Sequence, residues 1–182
     1  MKKVIIFPTD TVYGIGTSIY NIEGINRIYS IKHRPANKPL ACLCSSLKQI
    51  EEVAFVDESA KKLIEKFLPG ALTIILESKP EIKGLIGYET IGVRIPNHSI
   101  ALKLLEANGP MLTTSVNDSG NAPLNEYDDI CDIYSDLVDE IYDTNTTSSN
   151  KASTVVSIIS GKVEILREGE ISIESIEKIL NE

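Results

Sequence analysis

Apolar positions along the chain switch between two periods. Residues 4–7 form a short continuous apolar run that reads as a buried strand. Beyond it Ile22, Ile25, Ile28 and Tyr29 recur at helical spacing as far as Lys32, with Asn21 placed to cap the start and Pro35 to end the helix. Lys32 then lies in the last turn and Arg34 just beyond it. Residues 40–45 read as a strand, 47–54 and 58–67 as helices, and Pro69-Gly70 as a turn into a strand over 71–77. Residues 90–95 alternate like a strand that stops at Pro96, 100–107 are helical up to Gly109-Pro110, and 111–115 form a short strand feeding the turn SVNDSG. Residues 128–142 carry a good helical period, although 138–142 read equally well as a strand. A strand pair over 153–159 and 163–167 turns at Ser160-Gly161, and 171–180 form a terminal helix. At least six strands mixed with helices, several joined too closely for parallel crossovers, predict an α/β domain of the α+β type: a mixed, twisted sheet flanked by helices.

Composition changes this picture little. With 182 residues, 42% of them apolar, the chain is expected to be a single domain over 1–182. Lys2 and Lys3 precede only four apolar residues before Pro8, too few for a signal-peptide core, and nothing approaches the roughly 20 apolar residues of a membrane span. A cytoplasmic location without a membrane partner is the expectation. The three cysteines are odd in number, and Cys42 and Cys44 fall on one face of their strand, so reduced core thiols are expected. Two separated histidines and no CxxC pair leave no zinc ligand set, and no metal is assigned to protein side chains. The net charge of −8 is unevenly spread: residues 126–150 contain eight acids and no Lys or Arg, while residues 1–125 have 14 Lys+Arg against 12 Asp+Glu. The acidic run reads as a solvated helix face, and the composition shows no basic stripe for nucleic acid.

Three short runs hold the candidate chemistry. There is no GxxxxGK[ST] loop, and the GxGxxG begun by Gly14 and Gly16 fails at Ile19. Instead KHRPANKPL, residues 32–40, concentrates Lys32, Arg34 and Lys38 on a proline-stiffened segment, and an arginine fork with lysine point charges suits phosphate oxygens. SVNDSG, residues 115–120, offers the Ser115 hydroxyl and the Asn117 amide. PTDTVYGIG, residues 8–16, reads as a strand-to-helix turn in which Thr11 caps and Gly14 and Gly16 take positive φ; Asp10 is either a general base or a cap, and the cap is favoured.

In this order the three runs resemble the YrdC-like family, whose KxR and SxN elements are matched by Lys32, Arg34, Ser115 and Asn117. LPGALT (68–73), GVRIP (92–96), STVV (153–156) and an arginine after the last strand, Arg167, extend the resemblance over about residues 4–170. It implies a YrdC-like sheet of about seven strands, favours a strand over 138–142, and implies synthesis of threonylcarbamoyl-AMP from L-threonine, bicarbonate or CO2, and ATP with Mg2+. Pyrophosphate leaves, and a downstream threonylcarbamoyl-transferase takes the product to position 37 of tRNAs that read ANN codons. By resemblance Thr11, Arg94, Ser115 and Ser153 match positions that hold threonine. Lys32, Arg34, Lys38, Thr90, Asn117, Asn125 and Arg167 match positions around ATP. Leu43 stands where some members carry histidine, Val116 replaces a commoner alanine, and Glu170 a frequent proline. The loop 143–151 is the candidate lid. The rival reading is a non-catalytic or weakly active paralogue that binds double-stranded RNA or tRNA.

Overall fold

The computed structural model describes residues 2–144 and 149–181. Its elements run β1 (Ile5–Phe7), β2 (Gly14–Ser18), α1 (Ile22–Ile31), β3 (Ala41–Leu43), α2 (Leu47–Val53), α3 (Glu58–Phe67), β4 (Leu72–Glu77) and α4 (Pro80–Ile86). They continue with β5 (Thr90–Arg94), α5 (Ser99–Asn108), β6 (Met111–Ser115), α6 (Tyr127–Tyr134), β7 (Glu140–Ile141), β8 (Thr154–Ile159), β9 (Lys162–Arg167) and α7 (Ile173–Asn181). Local signals account for the boundaries. Asn21 accepts from the Gly24 amide at the start of α1, Ser46 from that of Gln49, and Asp57 from that of Ala60, each satisfying an amide the helix itself leaves free. Gly87 ends α4 in the left-handed conformation that an L side chain disfavours.

The nine strands among the described residues form one sheet in the order β7-β1-β2-β6-β3-β5-β4-β8-β9. It is mixed: β1–β7, β3–β5 and β4–β8 are parallel, and the other neighbours are antiparallel. One strand exceeds the pattern-based expectation. β2 was expected as a turn, yet GIGTS pairs along its whole length with β6, and no helix follows the PTDT segment directly. Gly14 and Gly16 are not at positive φ either. They are small because β6 lies close: a Cβ on Gly14 would come within 2.7 Å of Thr113 Cγ2, and one on Gly16 within 2.6 Å of Thr113 Oγ1. At β7 the strand alternative for residues 138–142 is the one adopted: the helical period gives way after Tyr134, and Glu140 and Ile141 pair with β1.

The faces of the sheet are unequal, and that positions the site. Val4, Ile6, Ile15, Cys42, Leu72, Ile74, Val93, Leu112 and Val156 point to one side, where buried residues of α1, α2, α3, α4, α6 and α7 complete the main core. Ile5, Phe7, Leu43 and Met111 point the other way and meet Ala101 and Leu105 of α5 in a second, smaller cluster. Next to that cluster, on the same face, the alternation brings Thr73, Arg94, Thr113, Ser115 and Val155 into a cavity instead of under a helix. Cys42 and Cys44 are both buried free thiols, their Sγ atoms 3.9 Å apart. The acidic residues Asp128, Asp129, Asp132 and Asp136 are exposed around α6.

Candidate active site

The cavity has a volume of about 450 Å3. Its walls come from the segment between β1 and β2 (Thr9, Thr11, Tyr13), the loop after α1 (Arg34, Pro39), the ends of β5 and β6 (Arg94, Ser115), the segment before β8 (Ser153) and the end of β9 (Arg167). Leu43, Thr113 and Val155 also line it, so Leu43 lies in the wall of the site itself.

One end is built on Arg94. Its guanidinium is 6% exposed and donates from Nε to Gly70 O (2.9 Å), from Nη1 to Thr11 Oγ1 (2.8 Å) and from Nη2 to Asp10 Oδ1 (2.6 Å). Burial pushes its pKa down and Asp10 opposes that shift, but an arginine remains a cation throughout. Asp10 also accepts from the Asn97 amide at 3.0 Å. The expectation of a cap is thereby corrected: Asp10 pairs with Arg94 across the sheet, because a strand and not a helix follows it. Thr73 and Ser153 share a hydrogen bond of 2.8 Å between their hydroxyls, and Arg167 donates from Nε and Nη2 to Ser153 O at 3.1 and 2.8 Å. Tyr13 keeps its phenolic proton, with its pKa pushed up to about 12 by burial and by Asp143.

The other end contains the KxR and SxN elements. Arg34 lines the cavity, its side chain held by donation from Nε to Lys38 O and from Nη2 to Pro39 O, both at 2.9 Å. Lys32 does not reach the wall. It is 1% exposed and donates to Ser115 O (2.5 Å), Asn117 O (2.5 Å) and Asn117 Oδ1 (2.8 Å). Burial pushes its pKa down to about 8, with Arg34 adding to the shift and Asp118 opposing it. Asn117 is likewise set behind the wall. Its Oδ1 accepts from Ser115 Oγ at 2.7 Å.

The remaining predicted residues lie around the cavity. The Asn125 carboxamide oxygen accepts from the Tyr13 amide at 3.1 Å and so ties the strand entry to the loop after β6. Lys38 is exposed, and its carbonyl anchors Arg34 and the Tyr29 hydroxyl. Thr90 shares a face of β5 with Arg94 but is four residues away, about 13 Å along a strand, and it lines the adjoining hollow with Tyr29 and Tyr88. Pro39 borders both spaces. Of the candidate lid 143–151, residues 145–148 lie outside the described residues; on its far side the Ser149 and Asn150 amides donate to Asp10 O and Thr11 O, each at 3.0 Å. Thr73 and Thr113 were missed as site residues. The signal was there: Thr113 and Ser115 alternate with the buried Leu112, and Thr73 with Leu72 and Ile74, which puts both threonines on the face opposite the main core.

Among the described residues no three His, Cys, Asp or Glu side chains gather into a metal site, and no helix is long and apolar enough to cross a membrane. A sheet of this order with such a cavity defines a YrdC-like domain, and the comparisons agree. The model of the Sua5–YciO–YrdC family, described as "Telomere recombination", matches residues 1–169, so the chain belongs to that family. A relative from Methanocaldococcus jannaschii, named a putative threonylcarbamoyl-AMP synthase, is 38% identical over 96% of this chain and 83% of its own length. The crystal structure of Pyrococcus abyssi Sua5 complexed with L-threonine superposes with a TM-score of 0.91 at 33% identity, covering 98% of this chain and 54% of that one. This chain therefore spans about half of that relative. Escherichia coli YciO superposes with a TM-score of 0.86 at 30% identity, over 96% of this chain and 87% of that one.

Proposed function

We propose that this chain is a threonylcarbamoyl-AMP synthase. The observation that carries the reading is the convergence of Thr11, Arg34, Arg94, Ser115, Ser153 and Arg167, drawn from separate stretches of sequence, on one cavity lined by three guanidinium groups. Three fixed cations suit a substrate set that is anionic at both ends, a carboxylate and a triphosphate. Arg94 uses three of its five N–H donors within the protein, which leaves two for the threonine carboxylate. Arg34 and Arg167 would complement phosphate oxygens, and a ribose or base extending past Pro39 would reach Thr90. Magnesium would arrive on the nucleotide, since the cavity's donors suit phosphate oxygens better than a cation.

In this reading the threonine amine adds to CO2, giving a carbamate and losing one proton. A carbamate oxygen then attacks the α-phosphorus, the bond to the bridging oxygen breaks, and pyrophosphate leaves with the electron pair. Holding three reactants together and stabilising phosphate charge is the work such a cavity can do. The product would pass to a transferase acting on tRNA.

Purified protein with ATP, magnesium, bicarbonate and threonine should release pyrophosphate and form threonylcarbamoyl-AMP detectable by mass spectrometry. Serine and no-threonine controls should be silent. Arg34→Ala should lower turnover on the order of 100-fold without unfolding the protein. ATP binding without turnover in the wild type would instead favour a weakly active paralogue; salt-dependent binding of tRNA or double-stranded RNA would then identify its role.

A further inference from the structure

The four residues of the KxR and SxN elements divide into two roles. Lys32 is an ammonium with three hydrogens and no lone pair, and it has three oxygens to receive them, Ser115 O, Asn117 O and Asn117 Oδ1. Asn117 cannot be turned around. Its Nδ2 donates to Asp118 O at 3.0 Å and Asn121 O at 2.7 Å, and a flip would set its hydrogens against the ammonium and its oxygen against two carbonyls. Oδ1 is thus held as an acceptor facing Lys32. The Ser115 hydroxyl, 2.7 Å from that oxygen, must give it its single hydrogen. Ser115 also lines the cavity, and there only its lone pairs remain.

We propose that Lys32 is a positioning residue that does not touch the nucleotide: through Asn117 it fixes the Ser115 hydroxyl as an acceptor toward the cavity. Ser115 then takes a hydrogen from an N–H or O–H of the substrate and gives none to a phosphate. An ionised phosphate has no hydrogen to offer, whereas an amine, a carbamate N–H or a hydroxyl has one. The identity of that donor group rests on the synthase reading, but the polarity of Ser115 does not. The phosphates are left to Arg34, whose guanidinium lines the cavity two residues beyond Lys32.

Three measurements test this. First, in wild-type protein the Lys32 ammonium should give a solvent-protected NMR signal that stays in place when magnesium–ATP is added; an exposed-type signal, or one that moves strongly with nucleotide, overturns the proposal. Second, Lys32→Met should lower kcat/KM by about tenfold or more in the wild type but less than about twofold in a Ser115→Ala background, because both act through one hydroxyl; losses that multiply would make Lys32 an independent ligand. Third, Lys32→Arg should fail to rescue, since a planar fork cannot direct three convergent hydrogens as an ammonium does; near-normal turnover would mean that charge alone matters. A wild type inactive with threonine would sink the synthase reading instead. The polarity would then be decided on the free protein: a protected ammonium signal that shifts in Ser115→Ala supports it, and an unchanged one overturns it.

Discussion

Arg94 and Lys32 are both buried cations, and their neighbours give them opposite sensitivities. Arg94 is paired, so removing it leaves the Asp10 carboxylate, whose side chain is 18% exposed, without its partner and Gly70 O without a donor. Arg94→Met should lower unfolding free energy by about 3 kcal/mol, while Asp10→Asn, still able to accept from the Asn97 amide, should cost nearer 1 kcal/mol; urea titration separates them. Lys32 has neutral acceptors only, and its pKa of about 8 lies below the unfolded value of 10.5. Below pH 8 both states hold the proton. Between those values the unfolded chain holds more protons than the folded one, so Lys32's own contribution to stability rises with pH. The same deprotonation leaves two hydrogens for three acceptors, so the ammonium's hold on Ser115 O and Asn117, which orients the Ser115 hydroxyl, is weakened. Turnover should therefore fall with an apparent pKa near 8. Across the same window the wild type should gain stability relative to Lys32→Met, and a relative loss would contradict the assignment.

Among the secondary-structure elements, the most informative surprise is β2. GIGTS has one large apolar residue in five, so it carries no strand signal by composition, yet every residue in it is buried between β1 and β6. Gly16→Ala would press a methyl against Thr113 Oγ1 at 2.6 Å, with Leu112 O and Phe7 Cε1 each at 3.2 Å, in the middle of the sheet. A loss of about 2 kcal/mol is expected in chemical denaturation. α1 is the contrasting case. Its cap, period and end were legible because Asn21, the isoleucines and Pro35 act within a few residues of one another, and Asn21→Ala should cost about 1 kcal/mol. The seven-residue α4 was not anticipated, being short and bounded by Pro80 and Gly87. Why residues 138–141 leave the helical path is visible only in the sheet. There the Asp139 carboxylate accepts from the Val4 amide at 2.7 Å and from Arg27 at 2.8 Å, and Glu140 and Ile141 pair with β1.

Across the molecule, among the described residues, six helices cover one face of the sheet while α5 covers part of the other, so the site occupies sheet surface that none of these helices fills. Because its three guanidinium groups belong to a preformed fold, ATP at about 100 times its dissociation constant should add about 2.7 kcal/mol of stability and raise Tm by roughly 5–10 °C. Arg34→Met should remain folded and lose most of that shift; an undiminished shift would place the phosphates elsewhere.

How much of this was legible follows from the range of the interactions. Periodicity, caps and turns are settled between residues a few positions apart, and from them most helices and strands and a mixed sheet could be read; the charge and hydroxyl clusters singled out Arg34 and Ser115, while Thr11, Arg94, Ser153 and Arg167 entered as candidates only through the family resemblance. The pairing of Asp10 with Arg94, the withdrawal of Lys32 and Asn117 behind the wall, and the separation of Thr90 into the next hollow could not be read from the chain. Each depends on strand order and register, which bring together groups far apart in sequence, and on which hydrogen is already given to a neighbour. Residue type states what a side chain can donate or accept; only the folded arrangement decides what it has left to offer a ligand.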